Sequence, residues 1–414
     1  MKKIWLINQN SMPPEYGHFN RQYNFGKYLN LSGNVASVFV GSYIHNNNIQ
    51  VINDKEIISE YKNAGFPFYF IRTIDYSGNK IKRVVAMFEF YHNMMKAAKN
   101  FEKPDIIIGS SPHPLACLLA IRLAKKMKCK SLVEIRDLWP ESIVAYKLFK
   151  KSNILVKMLY ILEKYIYTKA DKVIFTMEGG KDYIIKKGWD SGNNGSIDLN
   201  KVYYLNNGVD LEAFEKNAKE YVYEDTDLDD SNNFKVVYAG SLGLVNNSSL
   251  IIESAKYVLN NSSQKIKFII YGDGAEKERL MKKVEDESIS NVIFKGKVTK
   301  QFIPSILRKA DINLLNFDVN IIQQYGSSQN KCFDYLAAGK PILSTYKTGY
   351  DIIEKHKAGI SVVEQTPENV GKAVIEFSKM EKSKYMEYAQ NAANAAKEYD
   401  FKVLSAKLIE IISN

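Results

Sequence analysis

Short apolar runs alternate with longer amphipathic stretches along the whole chain. In the first half, strand-length runs fall at Lys3–Asn8, Ala36–Gly41, Phe68–Ile71, Ile106–Ser110, Ser131–Arg136, Val173–Thr176 and Lys201–Leu205. Between them, helical periodicity predicts helices at Phe19–Leu31, Lys82–Phe101, Leu115–Lys128, Ile154–Ala170 and Gly179–Lys187. Continuous apolar strands separated by helices indicate parallel pairing, with both sheet faces covered. The pattern predicts a doubly wound α/β layout.

The second half repeats the alternation. Strands are predicted at Lys235–Ala239, Lys267–Tyr271, Val292–Lys295, Ile312–Leu315, Pro341–Ser344 and Ile360–Val363. Helices are predicted at Ser249–Leu259, Ala275–Asp286, Lys300–Lys309, Asn330–Ala338 and Pro367–Met380. Asn206-Asn207-Gly208-Val209-Asp210 supplies the turn residues of a linker, and the acidic, Asn-rich segment Ala213–Asn233 reads as a surface excursion beside it. The last helices, Lys382–Ile412, are expected to reach back across the first domain. The domains so drawn are residues 1–207, residues 208–390 and a returning helix over 391–414. The architecture is two Rossmann-like domains facing each other across a cleft.

Length supports this division, because 414 residues exceed what one hydrophobic core usually covers. A chain 45% hydrophobic and 25% charged excludes the disordered and fibrous classes. Cys117, Cys129 and Cys332 are far apart and lack metal-ligand spacing, which argues for a reducing compartment. The apolar run Ile4–Ile7 is too short for a signal peptide, so the chain is expected to be cytoplasmic. Charge is uneven: residues 1–207 hold 30 Lys and Arg against 17 Asp and Glu, whereas residues 208–414 are close to balance. A basic first half fits an anionic partner or surface for that half alone. Two segments there mix cations with aromatics: 80–103, with Lys82, Arg83, Phe88 and Tyr91, and 146–172, with Phe149, Lys150, Lys151 and Lys157. Cationic amphipathic helices of this kind suit an anionic membrane surface or a solvated helix face. No nucleic-acid-reading motif accompanies them.

Candidate chemistry concentrates at predicted strand ends. Residues 326–341 place a small polar loop with one lysine before a short helix: Gly326, Ser327, Ser328, Gln329, Asn330, Lys331, and Asp334 one turn in. Free backbone N–H groups, hydroxyls and an ammonium suit an anion, and Asp334 suits a ribose. Together they suit a diphosphate with a ribose beside it, as in a nucleotide sugar. Gly240-Ser241-Leu242-Gly243 with Asn246, and Gly272-Asp273-Gly274, end two further strands of that half. In the first half, the loop Pro13 to Arg21 contains Gly17 but lacks the G-x-G-x-x-G spacing of a dinucleotide site. Ser110 to Pro114 and Glu134-Ile135-Arg136-Asp137, followed by Glu141, end two more strands. The histidines, His18 and His113 among them, form no HxH, HxxxH or HExxH pair, and there is no G-x-S-x-G elbow.

These motifs, in this order and spacing, resemble the retaining glycosyltransferases of family 4, which have the GT-B fold. The carrying segments are Pro14 to Arg21, Arg136 to Ser142, Asn207-Gly208-Val209-Asp210, Gly240 to Gly243, Gly272-Asp273-Gly274, and Asn330-Lys331 through Lys340-Pro341. The resemblance covers nearly the whole chain and is nearest to the branch of N-acetyl-L-fucosamine transferases of O-antigen and capsule assembly.

The resemblance implies a UDP-N-acetylhexosamine or deoxy-sugar donor, held by Gly17, Ser241, Leu242, Asn246, Gly272, Asp273, Gly274, Ser327, Ser328, Asn330, Lys331 and Asp334. Gly272 and its neighbours would face the base, Asp334 the ribose, and Ser241, Ser328 and Lys331 the diphosphate. Lys331, Arg136, Asp137 and Glu141 are the candidate catalytic residues. No cofactor or metal is expected. The acceptor is a polyprenyl-diphosphate-linked saccharide at the inner membrane face. The chain departs from the family pattern in three places. Asp334 and Gly326 occupy the positions of the Glu-x7-Glu pair, Ser241 and Asn246 replace an Arg and a Lys, and Arg136 stands where others have a histidine. A UDP-N-acetylhexosamine 2-epimerase and a non-catalytic scaffold of a polysaccharide complex stay open as alternatives.

Overall fold

The computed structural model describes the whole chain apart from His18 and Asn46. It divides into two units, Met1–Asn206 with Phe401–Asn414, and Asn207–Asp400.

The first unit is built on strands β1 (Lys3–Ile7), β2 (Val35–Gly41), β5 (Ile58–Glu60), β6 (Phe68–Ile71), β7 (Ile106–Ser110), β8 (Lys130–Ile135), β9 (Lys172–Phe175) and β10 (Val202–Tyr204), with a small hairpin of β3 (Tyr43–Ile44) and β4 (Ile49–Gln50) outside the main sheet. Among the described residues the sheet order is β10-β9-β8-β7-β1-β2-β6-β5, parallel except for β5 against β6. Its helices are α1 (Arg21–Leu31), α2 (Lys80–Ala97), α3 (Pro114–Met127), α4 (Glu141–Ala145), α5 (Ile154–Lys169) and α6 (Gly180–Lys186).

The two-residue period of the strands explains the layers. Ile4 and Leu6 of β1 pack with Phe25 and Leu29 of α1 and with Leu404 and Leu408 of the last helix, Phe401–Ser413. Trp5 and Ile7 pack on the opposite face with Phe90 and Met94 of α2 and Leu119 and Leu123 of α3. Both faces are therefore apolar, as a parallel sheet between helices requires.

The second unit holds β11 (Phe234–Ala239), β12 (Ile266–Tyr271), β13 (Val292–Gly296), β14 (Ile312–Leu315), β15 (Ile342–Ser344) and β16 (Gly359–Ser361), all parallel in the order β13-β12-β11-β14-β15-β16. Around it lie α7 (Leu211–Glu220), α8 (Thr226–Asp229), α9 (Ser248–Asn261), α10 (Lys277–Asp286), α11 (Ile303–Lys309), α12 (Asn330–Ala337), α13 (Ile352–Lys355), α14 (Pro367–Ser378) and α15 (Lys382–Glu398).

Two expectations need correction. The acidic segment over 213–233 is no loose excursion: it contains part of α7 and all of α8, and Phe214 and Leu228 enter the core. Its carboxylates are neutralised in place, Asp225 and Asp227 by Lys295 and Asp229 by Lys309. The helical run over Lys382–Ile412 is broken at Tyr399–Asp400, where Val209 N–H donates to the Tyr399 carbonyl (3.0 Å), and the return to the first unit begins at Phe401. Among the described residues no helix is long and apolar enough to cross a membrane.

Candidate functional site

In both units the candidate residues gather at the carboxyl ends of parallel strands, where the sheet leaves polar backbone unpaired. In the second unit, α12 sets the geometry. Phe333 and Leu336 are buried in the core, which fixes the helix, and the Tyr335 hydroxyl both accepts from Ala239 N–H (3.1 Å) and donates to its carbonyl (3.3 Å). Lys331 lies one turn before Tyr335 on the same helix face, so its side chain is aimed at the tip of β11.

The Lys331 ammonium donates to the Tyr238 hydroxyl, Asn246 Oδ1 and the Asn316 carbonyl, each at 3.3 Å, and lies 4.8 Å from the centre of the Tyr238 ring. All of these partners are neutral. Burial lowers its pKa to about 7. Asn246 in turn donates to Ser241 Oγ (2.6 Å), and the Tyr238 hydroxyl donates to the Ser241 carbonyl (2.9 Å). A Cβ at Gly240 would come within 3.1 Å of the ammonium, so glycine keeps this approach open. Ser241, Asn246 and Lys331 thus form one hydrogen-bonded chain.

The Gly272 loop is part of the same edge. A Cβ on Gly272 would sit 1.8 Å from the Gly240 carbonyl oxygen, and one on Gly274 would sit 2.2 Å from that of Leu242. These glycines are required for the two loops to pack together, a role independent of any ligand. Leu242 is fully buried and its N–H donates to the Asp273 carbonyl (2.9 Å), so neither its side chain nor its amide is open to a phosphate. The exposed Asp273 carboxylate accepts from Gly274 N–H and faces Lys277 at 3.7 Å. Ser327, Ser328 and Asn330 are half-buried at the start of α12, and the Asn207 side chain donates to Asn330 Oδ1. Asp334 is also half-buried; burial raises its pKa against the opposing effect of Lys300, and among the described residues its carboxylate accepts no hydrogen bond.

The first unit presents a different picture. Arg21, 1% exposed, donates to Glu134 and to the carbonyls of Asn206 (2.6 Å) and Leu205 (3.0 Å). Glu134 also accepts from Gln22 (3.0 Å) and Ser110 (2.6 Å), so this buried pair is closed on every side. Glu141 is committed as well: burial alone would raise its pKa, but hydrogen bonds from Lys187 and Tyr160 hold it below the usual range. Asp137 is half-buried and its pKa is raised by burial.

Arg136 is half-buried; burial, and to a smaller extent Arg21, lower its pKa to about 10 against the opposing pull of Glu134, and its guanidinium makes no ion pair within 4 Å among the described residues. Its N–H donates to Ser111 Oγ (2.8 Å). Nearby, His113 is buried and donates or accepts only through Nε2, to Gln9 (2.9 Å); burial lowers its pKa to about 4, so the ring is neutral. Gly17 lies between β1 and α1, where a Cβ would crowd Met12 Sδ at 2.9 Å, and its neighbour His18 is outside the described residues. Among the described residues no group of three or more His, Cys, Asp or Glu side chains could hold a metal ion.

Residues 233–379 match a family model described as "Glycosyl transferases group 1", and residues 56–213 match one described as "Glycosyltransferase Family 4". Each half of the chain thus contains a segment that matches a glycosyltransferase family model. The chain is 22% identical over 238 residues to an uncharacterized glycosyltransferase of Methanocaldococcus jannaschii, a match covering 57% of this chain and 56% of that relative. It therefore spans only about half the length of the curated relative it matches.

Its fold is similar to that of sucrose-phosphate synthase from Thermosynechococcus elongatus (TM-score 0.70, 14% identity, covering 100% of this chain and 98% of that one). It is also similar to that of Anabaena HepE in complex with UDP-glucose (TM-score 0.68, 14% identity, covering 100% of each). Two Rossmann-like domains with these neighbours constitute the GT-B fold.

Within the group 1 domain, sequence reasoning missed Tyr238 and Asn316. Tyr238 is the penultimate residue of β11 and Asn316 directly follows β14, so both read with the apolar strands they adjoin. Within the first unit it missed the pairing of Arg21 with Glu134, which are 113 positions apart.

Proposed function

We propose that this glycosyltransferase moves a sugar from a UDP-sugar to a polyprenyl-diphosphate-linked saccharide, in O-antigen, capsule or exopolysaccharide synthesis at the inner face of the plasma membrane. The donor sugar is an N-acetylhexosamine or deoxy derivative, as in the fucosamine-transferring branch the sequence resembles. One observation carries the reading: an ammonium surrounded by neutral oxygens, beside a glycine and the first turn of a helix, is a charge still awaiting an anion. A diphosphate supplies it. The fold neighbour crystallised with UDP-glucose supports the donor class.

Lys331 stabilises the negative charge that grows on the departing diphosphate, with Ser241 and the first turn of α12 as hydrogen-bond donors. No metal is invoked, because Lys331 supplies the cation. Asp334 accepts from the ribose hydroxyls. The bond from the anomeric carbon to the diphosphate breaks, the acceptor oxygen bonds to that carbon from the same face, and the acceptor proton passes to a leaving diphosphate oxygen. Configuration is retained, and the protein's contribution is positioning and charge stabilisation. The Arg136 guanidinium, which makes no ion pair among the described residues of a unit rich in positive charge, receives the anionic part of the acceptor.

A thermal-shift panel of UDP-, GDP- and dTDP-sugars at one concentration tests the donor class, because stabilisation rises with affinity by mass action. UDP-sugars should raise Tm most. Equal or absent shifts across the panel overturn the reading, and proton NMR showing an inverted anomeric centre in the product overturns retention.

A further inference from the structure

Two helices of the first unit turn apolar stripes toward solvent. On α5, Ile154 (77% exposed), Met158, Ile161 (70%) and Tyr165 follow one another at helical spacing, with Leu155 beside them and Leu148 and Phe149 in the loop before. On α2, Ile81 (77%), Val84, Val85 and Phe88 (50%) do the same. An outward stripe at this spacing is the reverse of what a solvent-facing helix normally shows. The side chains are not compensating for a poor core, because Phe90 and Met94 of α2 and Val156 and Ile166 of α5 fill the inner faces.

The stripes lie on one side of the unit. α2 packs on α3 and α3 on α5, whereas α1 and the last helix form the opposite layer. Helices in such a layer run antiparallel to the strands, so α2 and α5 both begin at the sheet's carboxyl edge, the edge that carries Ser111, Arg136 and Asp137.

Their charge is of one sign. Lys147, Lys150, Lys151 and Lys157 surround the α5 stripe, and Lys80, Lys82 and Arg83 the α2 stripe, all exposed. The acidic residues of these helices point elsewhere. Glu163 is buried and accepts from the hydroxyls of Tyr167 (2.7 Å) and Tyr183 (2.9 Å), and Glu89 accepts from Ile74 N–H (2.6 Å) and faces Arg72. A second copy of the chain is a poor occupant, since a two-fold contact would set lysines against the same lysines.

We infer that the outer faces of α2 and α5 dock the protein on an anionic phospholipid bilayer, with the apolar stripes entering the headgroup region and the surrounding lysines on lipid phosphates. Apolar side chains embedded between cations are how interfacial helices hold such a surface. The assignment deepens the lipid-linked acceptor reading and rests on it only for its purpose: docking there would bring the carboxyl edge, with Arg136, to the membrane plane.

Co-sedimentation of the full chain with vesicles of equal parts phosphatidylglycerol and phosphatidylethanolamine, without acceptor or donor, tests it. The protein should pellet with these and bind phosphatidylcholine vesicles at least about tenfold more weakly. Ile154→Ser with Met158→Ser and Ile161→Ser should weaken binding by about tenfold or more, and so should Lys150→Gln with Lys151→Gln and Lys157→Gln. Both variants replace exposed side chains, and an unchanged Tm confirms their folding.

Wild-type protein left in the supernatant, or variants that pellet as it does, overturns the inference. So does light scattering that shows a wild-type dimer dissociated by the α5 serine substitutions. Calorimetry with UDP-sugar on the same samples reports separately on the donor reading: vesicle binding without donor affinity would defeat that reading and leave this one standing.

Discussion

The two units share one architecture and place a cation at the same kind of edge, yet Arg21 and Lys331 are treated in opposite ways. Arg21 is enclosed with Glu134, and Leu205, Asn206, Gln22 and Ser110 hydrogen-bond to the pair. Among the described residues Lys331 has no carboxylate partner, only neutral oxygens at 3.3 Å. A buried charge that is fully paired has its electrostatics spent on the fold, whereas one left with neutral dipoles keeps attraction in reserve for a ligand. A buried cation is therefore a functional signal only after its counter-charges have been located.

The largest effect should come from opening the closed site. Glu134→Ala leaves the Arg21 guanidinium buried and unpaired, which should cost roughly 3–5 kcal/mol. Scanning calorimetry of the whole protein should show the transition of the first unit shifted down, with that of the second unit in place. An unshifted first transition would remove the contrast between the two cations.

A pH series sharpens the contrast from the other side. The Lys331 amine of the free protein titrates at about 7 because it is buried without a counter-ion, and a bound diphosphate raises that pKa. Binding therefore takes up a proton above pH 7. The affinity for a UDP-sugar should be full below that pH and fall by up to about tenfold per unit as pH rises through the slightly alkaline range. Lys331→Arg, charged throughout, should flatten the profile. A wild-type profile that is already flat would show that the amine does not meet the diphosphate.

The smallest expected effect lies at Asp334. Its carboxylate accepts nothing among the described residues, so Asp334→Ala should leave Tm nearly unchanged and weaken UDP-sugar binding by about 1–2 kcal/mol, seen as a higher KM with kcat nearly kept. A loss confined to kcat would move this residue from the ribose to the reacting centre.

Much of this was readable before folding. Runs such as Ile106–Ser110 and Ile312–Leu315 are strands as predicted, since short, mostly apolar runs between helices leave little alternative. Lys331 stands out for a similarly local reason: it is the single cation where a small polar loop runs into a helix. What failed was non-local. β5 and the β3–β4 hairpin are too short for a periodic signal. α7 and α8 were hidden because their acidic, amide-rich composition outweighs the two buried anchors Phe214 and Leu228. Tyr238, the penultimate residue of β11, and Asn316, just beyond β14, read with the core strands they adjoin. Arg21 could be recognised as structural only once folding brought Glu134 to it.

Lys331→Met tests the central claim most directly, because it keeps the length of the side chain and removes only its charge. Calorimetric titration with the UDP-sugar that most stabilises the wild type should show affinity reduced by about a hundredfold, with Tm unchanged or raised because no paired interaction is lost. Affinity within about threefold of wild type, or a large fall in Tm, would contradict the account: the first would mean that the ammonium does not hold the diphosphate, the second that its charge belongs to the fold, as that of Arg21 does.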